Sequence, residues 1–439
     1  MNIPEHAHPR LVIIGAGFGG LNLVKALSRA PYQIVLIDKN NYHTFQPLLY
    51  QVASAGLEPD SIAHGIRSVF EPRENFFFRM ANVHSIDTRA QQVRSDIGSI
   101  SYDYLVVATG SVNNFFGNRQ FEQLSLPMKS IPEALDLRSA IIQNFEAALL
   151  TDQPERIKSL LSYVIVGGGP TGVELAGALA ELKNHILERD YPALSRGQMH
   201  IYLIEAAPRL LEGLSAQSSE KARRYLERNG VEIWFNHLLE DYDGETAKIG
   251  ERKIKSDNLI WAAGVKGNIP EGLPPEAQSH SRLIVNAFNQ IKGFENVFAI
   301  GDAAALLSRE TPKGHPMVAQ VAIQQARRLA QNLEAKRKGH PMRAFTYRDR
   351  GTMATLGRNH AVADLKGAGL KLRFSGFIGW IMWLGIHLVW LVGFRNKVIA
   401  LSNWVIQYFQ YGHNVDLIIR PFKRNSSPPS RNPKRQDKA

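Results

Sequence analysis

Two groups of glycines in this chain have the spacing to cradle phosphates. Gly15, Gly17 and Gly20 form one G-x-G-x-x-G, and Gly167, Gly169 and Gly172 form another. Each follows an apolar run (LVII, YVIV) and precedes a helix-like stretch, and a second apolar run then ends in an acid, Asp38 or Glu205. The first glycine permits a tight turn, the second lets backbone approach a pyrophosphate, and the third allows close helix-to-strand packing. The phosphates then meet a helix N-terminus, and the carboxylate accepts from ribose hydroxyls. Two such units in one polypeptide imply two bound dinucleotides and electron transfer between them.

The elements that must position these residues repeat as well. SYDYLVVATGS (101–111) and KSDNLIWAAGV (255–265) each read as a buried strand ending in small residues and glycine. The span from Gly15 to Gly110 matches that from Gly167 to Gly264 to within two residues, which makes Gly264 the counterpart of Gly110. FFFRMANVHSID reads as strand, turn and strand, a helix is expected at about 132–150, and ENVFAIGDAA (295–304) is a further buried strand. Its place in the order predicts that it returns to complete the first domain. The fold class is therefore α/β, with two Rossmann-like dinucleotide-binding domains, the second inserted in the first. The expected segments are 1–115 and 286–350 for the first domain and 116–285 for the second. Residues 315–335 read as a helix with Gln320 and Gln324 on one face.

A length of 439 residues, 44% hydrophobic and 21% charged, suits two or three globular domains. The chain has no cysteine, which excludes thiol-based disulfide reductases, sulfide:quinone reductases and cysteine-ligated iron–sulfur clusters. No HExxH, clustered histidines or G-x-S-x-G is visible, so no metal is expected and the electron carrier must be organic. MNIPEHAHPR is no secretory signal, which predicts a cytoplasmic body. The formal charge of +12 is not spread evenly: the last twenty residues hold seven Lys or Arg against one Asp, and the tail (421–439) reads as a disordered basic arm. Without interleaved aromatics or a reader motif it points to an anionic membrane surface and not to nucleic acid.

Residues 351–420 read as a membrane-associating region. RFSGFIGWIMWLGIHLVWLVGF (373–394) is almost wholly apolar, with Trp380, Trp383, His387, Trp390 and Phe394 recurring along one side. Its length would span a bilayer. Arg395, Lys397 and the tail argue against crossing, since they would then lie outside. In the next helix Val398, Leu401, Val405 and Tyr408 face one way, and Asn403, Gln407 and Gln410 the other. The pair reads as an amphipathic anchor in the headgroup plane, peripheral on the cytoplasmic face. A homodimer built partly through these helices is the other use of such a surface.

NYHTFQPLLYQVASAGL (41–57), AQVAIQ (319–324), AIGDAA (299–304) and the apolar region ending GFRNK, taken with the glycine motifs, resemble the type II NADH dehydrogenases. These are single-subunit, non-proton-pumping NADH:quinone oxidoreductases, and the resemblance covers the chain to about residue 412. It implies FAD in the first nucleotide unit and NADH in the second. By motif, Gly15, Gly17 and Gly20 would receive the FAD pyrophosphate, Asp38 its ribose, the Val83 backbone its adenine and Asp302 its ribityl chain, with Thr109 and Gly110 flanking it. Gly167, Gly169 and Gly172 would face the NADH pyrophosphate, with Gly264 also at the cofactor. Glu205 favours NADH, since a carboxylate binds the 2′-hydroxyl and repels a 2′-phosphate, although Arg209 lies four residues on. The resemblance places Gln320 and Gln324 at a membrane-quinone site, where an amide can donate to a carbonyl without bringing a charge. It places Glu174 near the nicotinamide and flavin, the alternative being dipole stabilisation at a helix N-terminus. Two other readings remain at this point: a soluble ferredoxin-reductase-like flavoprotein, and an NADH-sensing flavoprotein without turnover.

Overall fold

Runs such as LVII and YLVV are apolar at every position, the pattern of parallel strands buried on both faces. In the computed structural model, which describes residues 1–70, 74–367, 370–409, 417–418 and 420–423, they form the centres of two units. The first comprises Met1–Thr44, Ala63–Asn113 and Val265–Asp349. The second comprises Phe45–Ile62, Asn114–Gly264 and the chain from Arg350 onward.

A five-stranded parallel sheet organises the first unit, in the order Val297–Ala299, Tyr104–Val107, Arg10–Ile14, Gln33–Asp38, Phe76–Met80. Leu11, Val12, Ile13, Val35, Leu36 and Leu105 are wholly buried in it. The chain proceeds from the Arg10–Ile14 strand to one side and later returns on the other. That strand therefore stands at the switch point where open α/β sheets bind ligands. Helices Phe18–Ala26 and Ala319–Arg337 pack against each other, and the Tyr32 hydroxyl donates to the Leu333 carbonyl at 2.9 Å. The second of these helices begins at Ala319, later than the 315 expected. Pro316 disfavours helical backbone at His315, and Val318 is extended, with φ −130° and ψ 151°.

The second unit repeats the plan, in the order Leu126–Pro127, Asn258–Trp261, Ser162–Val166, His200–Glu205, Val231–Phe235. Its Ile131–Ala148 helix opens on a capping box, with the Ser130 N–H donating to the Glu133 carboxylate at 2.8 Å and the Glu133 N–H to Ser130 Oγ at 3.4 Å.

The C-terminal region holds more than helices. Strands Gly351–Gly357, His360–Gly367 and Leu370–Ser375 form an antiparallel meander that the sequence reading did not anticipate. A bulge between Thr355 and Gly357 breaks the alternation that would have disclosed it. The apolar run expected at 373–394 is divided. Its first residues belong to the last strand, a helix covers Gly376–Trp390, and Gly393 at φ +86° turns the chain into a second helix, Phe394–Phe409. At 15 residues, the first helix is about 22 Å long, short of a hydrocarbon core of about 30 Å. Among the described residues no helix is long and apolar enough to cross a membrane.

The tryptophan stripe does not form the outer face. Trp383 is 1% exposed and stacks on His387 with ring centroids 4.1 Å apart, and Phe394 belongs to the next helix. The exposed apolar side is instead Phe377, Ile378, Ile381 and Val389. Trp383 went inward, where a large ring buries the most surface, while Trp380, His387 and Trp390 are half-buried and Phe377 stays outside with the aliphatic residues. On the second helix Val398, Leu401, Val405 and Tyr408 are all exposed, as the amphipathic pattern predicts, while Trp404 and Ala400 are buried. The Gln407 side chain, Gln410 and most of the basic arm lie outside the described residues.

Candidate functional site

Each nucleotide unit presents one turn, built twice in the same way. Gly15 has φ +103° and Gly167 φ +111°, and a Cβ on either would sit 2.3 Å or 2.5 Å from a carbonyl oxygen of the neighbouring strand's end, Ala108 or Ala262. A Cβ on Gly20 or Gly172 would lie 1.8 Å or 1.9 Å from the carbonyl oxygen of Gly15 or Gly167. These four positions are glycine because the fold leaves no room. Gly17 and Gly169 differ: φ is −70° and −72°, ordinary for any residue, and a Cβ would meet nothing within 4 Å. The fold does not require glycine there, whereas a pyrophosphate approaching the backbone does. The residues present therefore fit a dinucleotide at both turns.

The two acids are held alike. Asp38 Oδ2 accepts from the Ala16 N–H at 2.7 Å and Oδ1 from the Asn40 N–H at 2.8 Å. Glu205 accepts from the Gly168 N–H through Oε2 and from the Ala207 N–H at 2.7 Å through Oε1. Each carboxylate thus ties its strand's end to the middle of its glycine turn. Each oxygen keeps a second lone pair for a hydroxyl. Burial pushes the Asp38 carboxyl up from its ordinary range, against the pull of the Ala16 and Asn40 N–H groups. Arg209 is spent locally, its guanidinium donating to the Leu214 and Glu212 carbonyls, each at 2.9 Å.

In the first unit the Ala81 N–H donates to the Asp38 carbonyl at 2.9 Å, which sets Val83, at the start of its strand, near that acid. The Thr109 hydroxyl donates to the Asn268 carbonyl, and the Gly110 carbonyl accepts from the Asn268 N–H at 2.9 Å. Asp302 Oδ2 accepts from Ser111 Oγ at 2.5 Å. It lies inside the Gly301–Ala303 turn, whose cap position is Ile300, so it is not a helix N-cap. Gln325, passed over in the sequence, is 1% exposed and its amide oxygen accepts from the Gly301 N–H at 2.7 Å. It fastens the AQVAIQ helix to that turn.

Gln324 donates to the Arg348 carbonyl at 2.9 Å and accepts from the Arg348 N–H at 3.0 Å, closing both ends of its amide on one backbone residue. Gln320 is half-buried in the first turn of the helix.

Glu174 lies in the second unit, 9% exposed on the Pro170–Glu181 helix. The Thr355 N–H donates to its Oε1 at 3.3 Å, and the Trp383 indole N–H is near the carboxyl without closing a hydrogen bond. Burial pushes this carboxyl up to about 8, outweighing both donors. A carboxyl protonated at neutral pH contributes little to a helix dipole. Beside it the Tyr50 hydroxyl accepts from Gln51 Nε2 at 2.7 Å, and Gln51 Oε1 accepts from the Trp404 indole at 2.9 Å. His387 Nδ1 meets the Trp383 carbonyl at 2.7 Å, and burial holds this imidazole down to about 4, hence neutral. Tyr50, Gln51 and Trp404 were not singled out in the sequence, because residues so far apart in the chain carry no local signal of their pairing.

Two parallel sheets, each with a glycine turn and a strand-end acid, define a two-dinucleotide oxidoreductase. A family model described as pyridine nucleotide-disulphide oxidoreductase matches residues 9–326, and the NDH2 C-terminal domain matches 350–411. The chain is 38% identical over 422 residues to the type II NADH:quinone oxidoreductase Ndh of Mycobacterium tuberculosis, covering 92% of this chain and 89% of that protein. It is 39% identical over 419 residues to NdhA of the same organism, covering 91% and 87%. The structure of NDH2 from Plasmodium falciparum in complex with NADH matches with a TM-score of 0.84 at 20% identity, covering 91% of this chain and 98% of that one. The chain belongs to the type II NADH:quinone oxidoreductase family.

Proposed function

We propose that this enzyme passes two electrons from NADH through bound FAD to a membrane quinone without moving protons across the bilayer. The observation that carries the reading is the open space at Gly17 and Gly169, at the start of the helix in each turn, which an approaching pyrophosphate would fill. The first turn would hold the FAD pyrophosphate through Gly15, Gly17 and Gly20, with Asp38 on a ribose, Val83 at the adenine and Asp302, Thr109 and Gly110 along the remainder. The second would hold NADH through Gly167, Gly169, Gly172, Glu205 and Gly264. Turning the Arg209 guanidinium onto backbone carbonyls leaves Glu205 to repel a 2′-phosphate, which supports NADH over NADPH. FAD, when bound, supplies a carrier that takes hydride equivalents from a nicotinamide and returns electron pairs to a quinone.

Gln320 is the amide proposed to donate to a quinone carbonyl. Gln324 is proposed at the same quinone site, its amide also holding the backbone of Arg348 at both ends. Buried and protonated, Glu174 is proposed to keep the nicotinamide end of the second unit free of negative charge. The exposed faces of the two C-terminal helices would seat in the bilayer interface on the cytoplasmic side, where NADH is available. Each large apolar side chain fully inserted contributes roughly 1.5–3 kcal/mol, and each basic residue near an anionic surface about 1 kcal/mol. Exposed Lys366, Lys371 and Arg373 sit on the strands leading into these helices.

The test uses purified protein in quinone-containing vesicles that enclose a pH dye. FAD is expected on denaturation, with rapid flavin bleaching by NADH and quinol formation without acidification of the lumen. Protein that neither carries nor takes up FAD would overturn the reading.

A further inference from the structure

We propose that Phe116 is a binding residue for the nicotinamide half of the pyridine dinucleotide, its ring standing as a stacking wall beside Gly264. The proposal rests on the reading that the second unit takes NADH.

Phe116 is held in a conformation that its side chain does not favour. The Asn118 N–H donates to the Phe115 carbonyl at 2.9 Å, closing a tight turn whose central residues, Phe116 and Gly117, have φ +51° and +80°. Two positive φ values are the mark of a type I′ turn, a setting dominated by Asn, Asp and Gly. A bulky residue at positive φ is an outlier that persists only where the surroundings impose it. Burial does not repay the strain, because Phe116 is 68% exposed. Phe116 meets Trp261 more loosely than its neighbours do, with ring centroids 6.3 Å apart against 5.3 Å for Phe115 and 5.4 Å for Phe121.

The loop that carries the ring is clipped to the end of the Asn258–Trp261 strand. The Asn114 N–H donates to the Gly264 carbonyl at 3.0 Å, the Trp261 indole donates to the Asn114 carbonyl at 3.0 Å, and Asn114 Oδ1 accepts from the Phe116 N–H at 3.0 Å. Phe116 Cζ would lie 3.4 Å from a Cβ on Gly264, so the tip of the ring overlies that residue.

Sheet order then identifies which half of the ligand arrives there. The Gly167 turn follows the central Ser162–Val166 strand, with His200–Glu205 on one side and Asn258–Trp261 on the other. A dinucleotide whose pyrophosphate sits at the central turn extends one nucleoside to each side. Glu205 receives the adenosine ribose, so the nicotinamide riboside runs toward Gly264 and meets the exposed face of Phe116. A flat apolar ring there serves a heteroaromatic partner by offset stacking.

The experiment compares Phe116→Gly and Phe116→Tyr with wild type, as FAD-loaded protein, by calorimetric titration of NAD⁺ and of ADP-ribose, which lacks the nicotinamide, together with thermal melting. Phe116→Gly should weaken NAD⁺ about three- to tenfold, leave ADP-ribose unchanged and melt no lower than wild type, since glycine suits φ +51°. Phe116→Tyr should retain wild-type affinity for both. The proposal is overturned if the two ligands weaken together, or if neither changes while wild type binds both. Wild-type protein that binds neither would overturn the NADH reading itself and this proposal with it.

Discussion

Alanine at Gly169 and at Gly172 should separate what the fold needs from what the ligand needs. At Gly169 the backbone already has φ −72° and ψ −177°, and a methyl group would meet no protein atom within 4 Å. As a helix N-cap, alanine is worse than glycine by about 0.5–1 kcal/mol, while its stiffer unfolded chain returns about 0.4–1 kcal/mol. Gly169→Ala should therefore unfold within about 1 kcal/mol of wild type. Its methyl would project where the pyrophosphate approaches, and overpacking of that size costs about 1–3 kcal/mol, a loss of roughly 5- to 150-fold in NADH affinity. Gly172→Ala should do the reverse at the level of folding. A Cβ 1.9 Å from the Gly167 carbonyl oxygen cannot be accommodated without parting helix from strand, which should cost more than about 3 kcal/mol. Urea unfolding with calorimetric titration of NAD⁺ reads both quantities. A Gly169→Ala protein with wild-type stability and wild-type affinity would refute the assignment of that turn to a dinucleotide.

Four further outcomes are expected. Gln324→Ala removes two hydrogen bonds to Arg348 worth about 1 kcal/mol each, so hydrogen exchange of the Arg348 amide should accelerate roughly 30-fold; Gln320→Ala should instead slow quinone reduction at least about tenfold while flavin reduction by NADH is unchanged in stopped flow. The Glu174 carboxyl is raised from 4.5 to about 8, so between those values the unfolded chain has lost a proton that the folded protein keeps. Stability should therefore be full below about pH 4.5, fall as pH rises toward 8 by on the order of a few kcal/mol, and level off beyond. Glu174→Gln should flatten that slope in urea titrations at pH 5, 7 and 8.5; an unchanged slope would exclude Glu174 as its source. Val405→Asp, at a site 48% exposed on the outer face of the last helix, should lower vesicle binding about tenfold in sedimentation without changing the melting temperature.

The sequence disclosed most where a local pattern has one physical meaning. Both glycine turns, both strand-end acids and the apolar strands between them are local, and the structure has each where the pattern puts it. The outer face of the last helix was legible for the same reason, since a 3.6-residue period needs no partner to be read. What failed depended on partners. Trp383 shares an apolar helix with Ile378 and Ile381, and nothing local says that it turns inward to Tyr50 and Trp404 while they face outward. Gln325 was passed over in the same way, since its bond to the Gly301 N–H is made across 24 residues of chain. The meander of 351–375 was hidden because its alternation is interrupted by a bulge and by a turn at Asn359 that requires φ +63°.

That meander joins the helix of the second glycine turn to the C-terminal helix with the exposed apolar face. Gly177 lies midway along the Pro170–Glu181 helix, and a Cβ there would be 2.0 Å from the Leu356 carbonyl oxygen, so the Gly351–Gly357 strand rests directly on helix backbone. On the same face Glu174 accepts from the Thr355 N–H and Glu181 from the Arg358 N–H. The strand pairs on into His360–Gly367 and Leu370–Ser375, and the last residue of that strand caps the Gly376–Trp390 helix. The helix that begins at the second glycine turn and the helix that exposes Phe377, Ile378 and Ile381 are thereby joined by packed backbone. Seating the latter in a bilayer would orient the former. Gly177→Val should break the joint: the meander would lift, proteolysis should cut near residue 350, and vesicle binding should be lost while the released body still binds NAD⁺. A Gly177→Val protein that resists protease and sediments with vesicles like wild type would show that the contact is not what holds the two helices together.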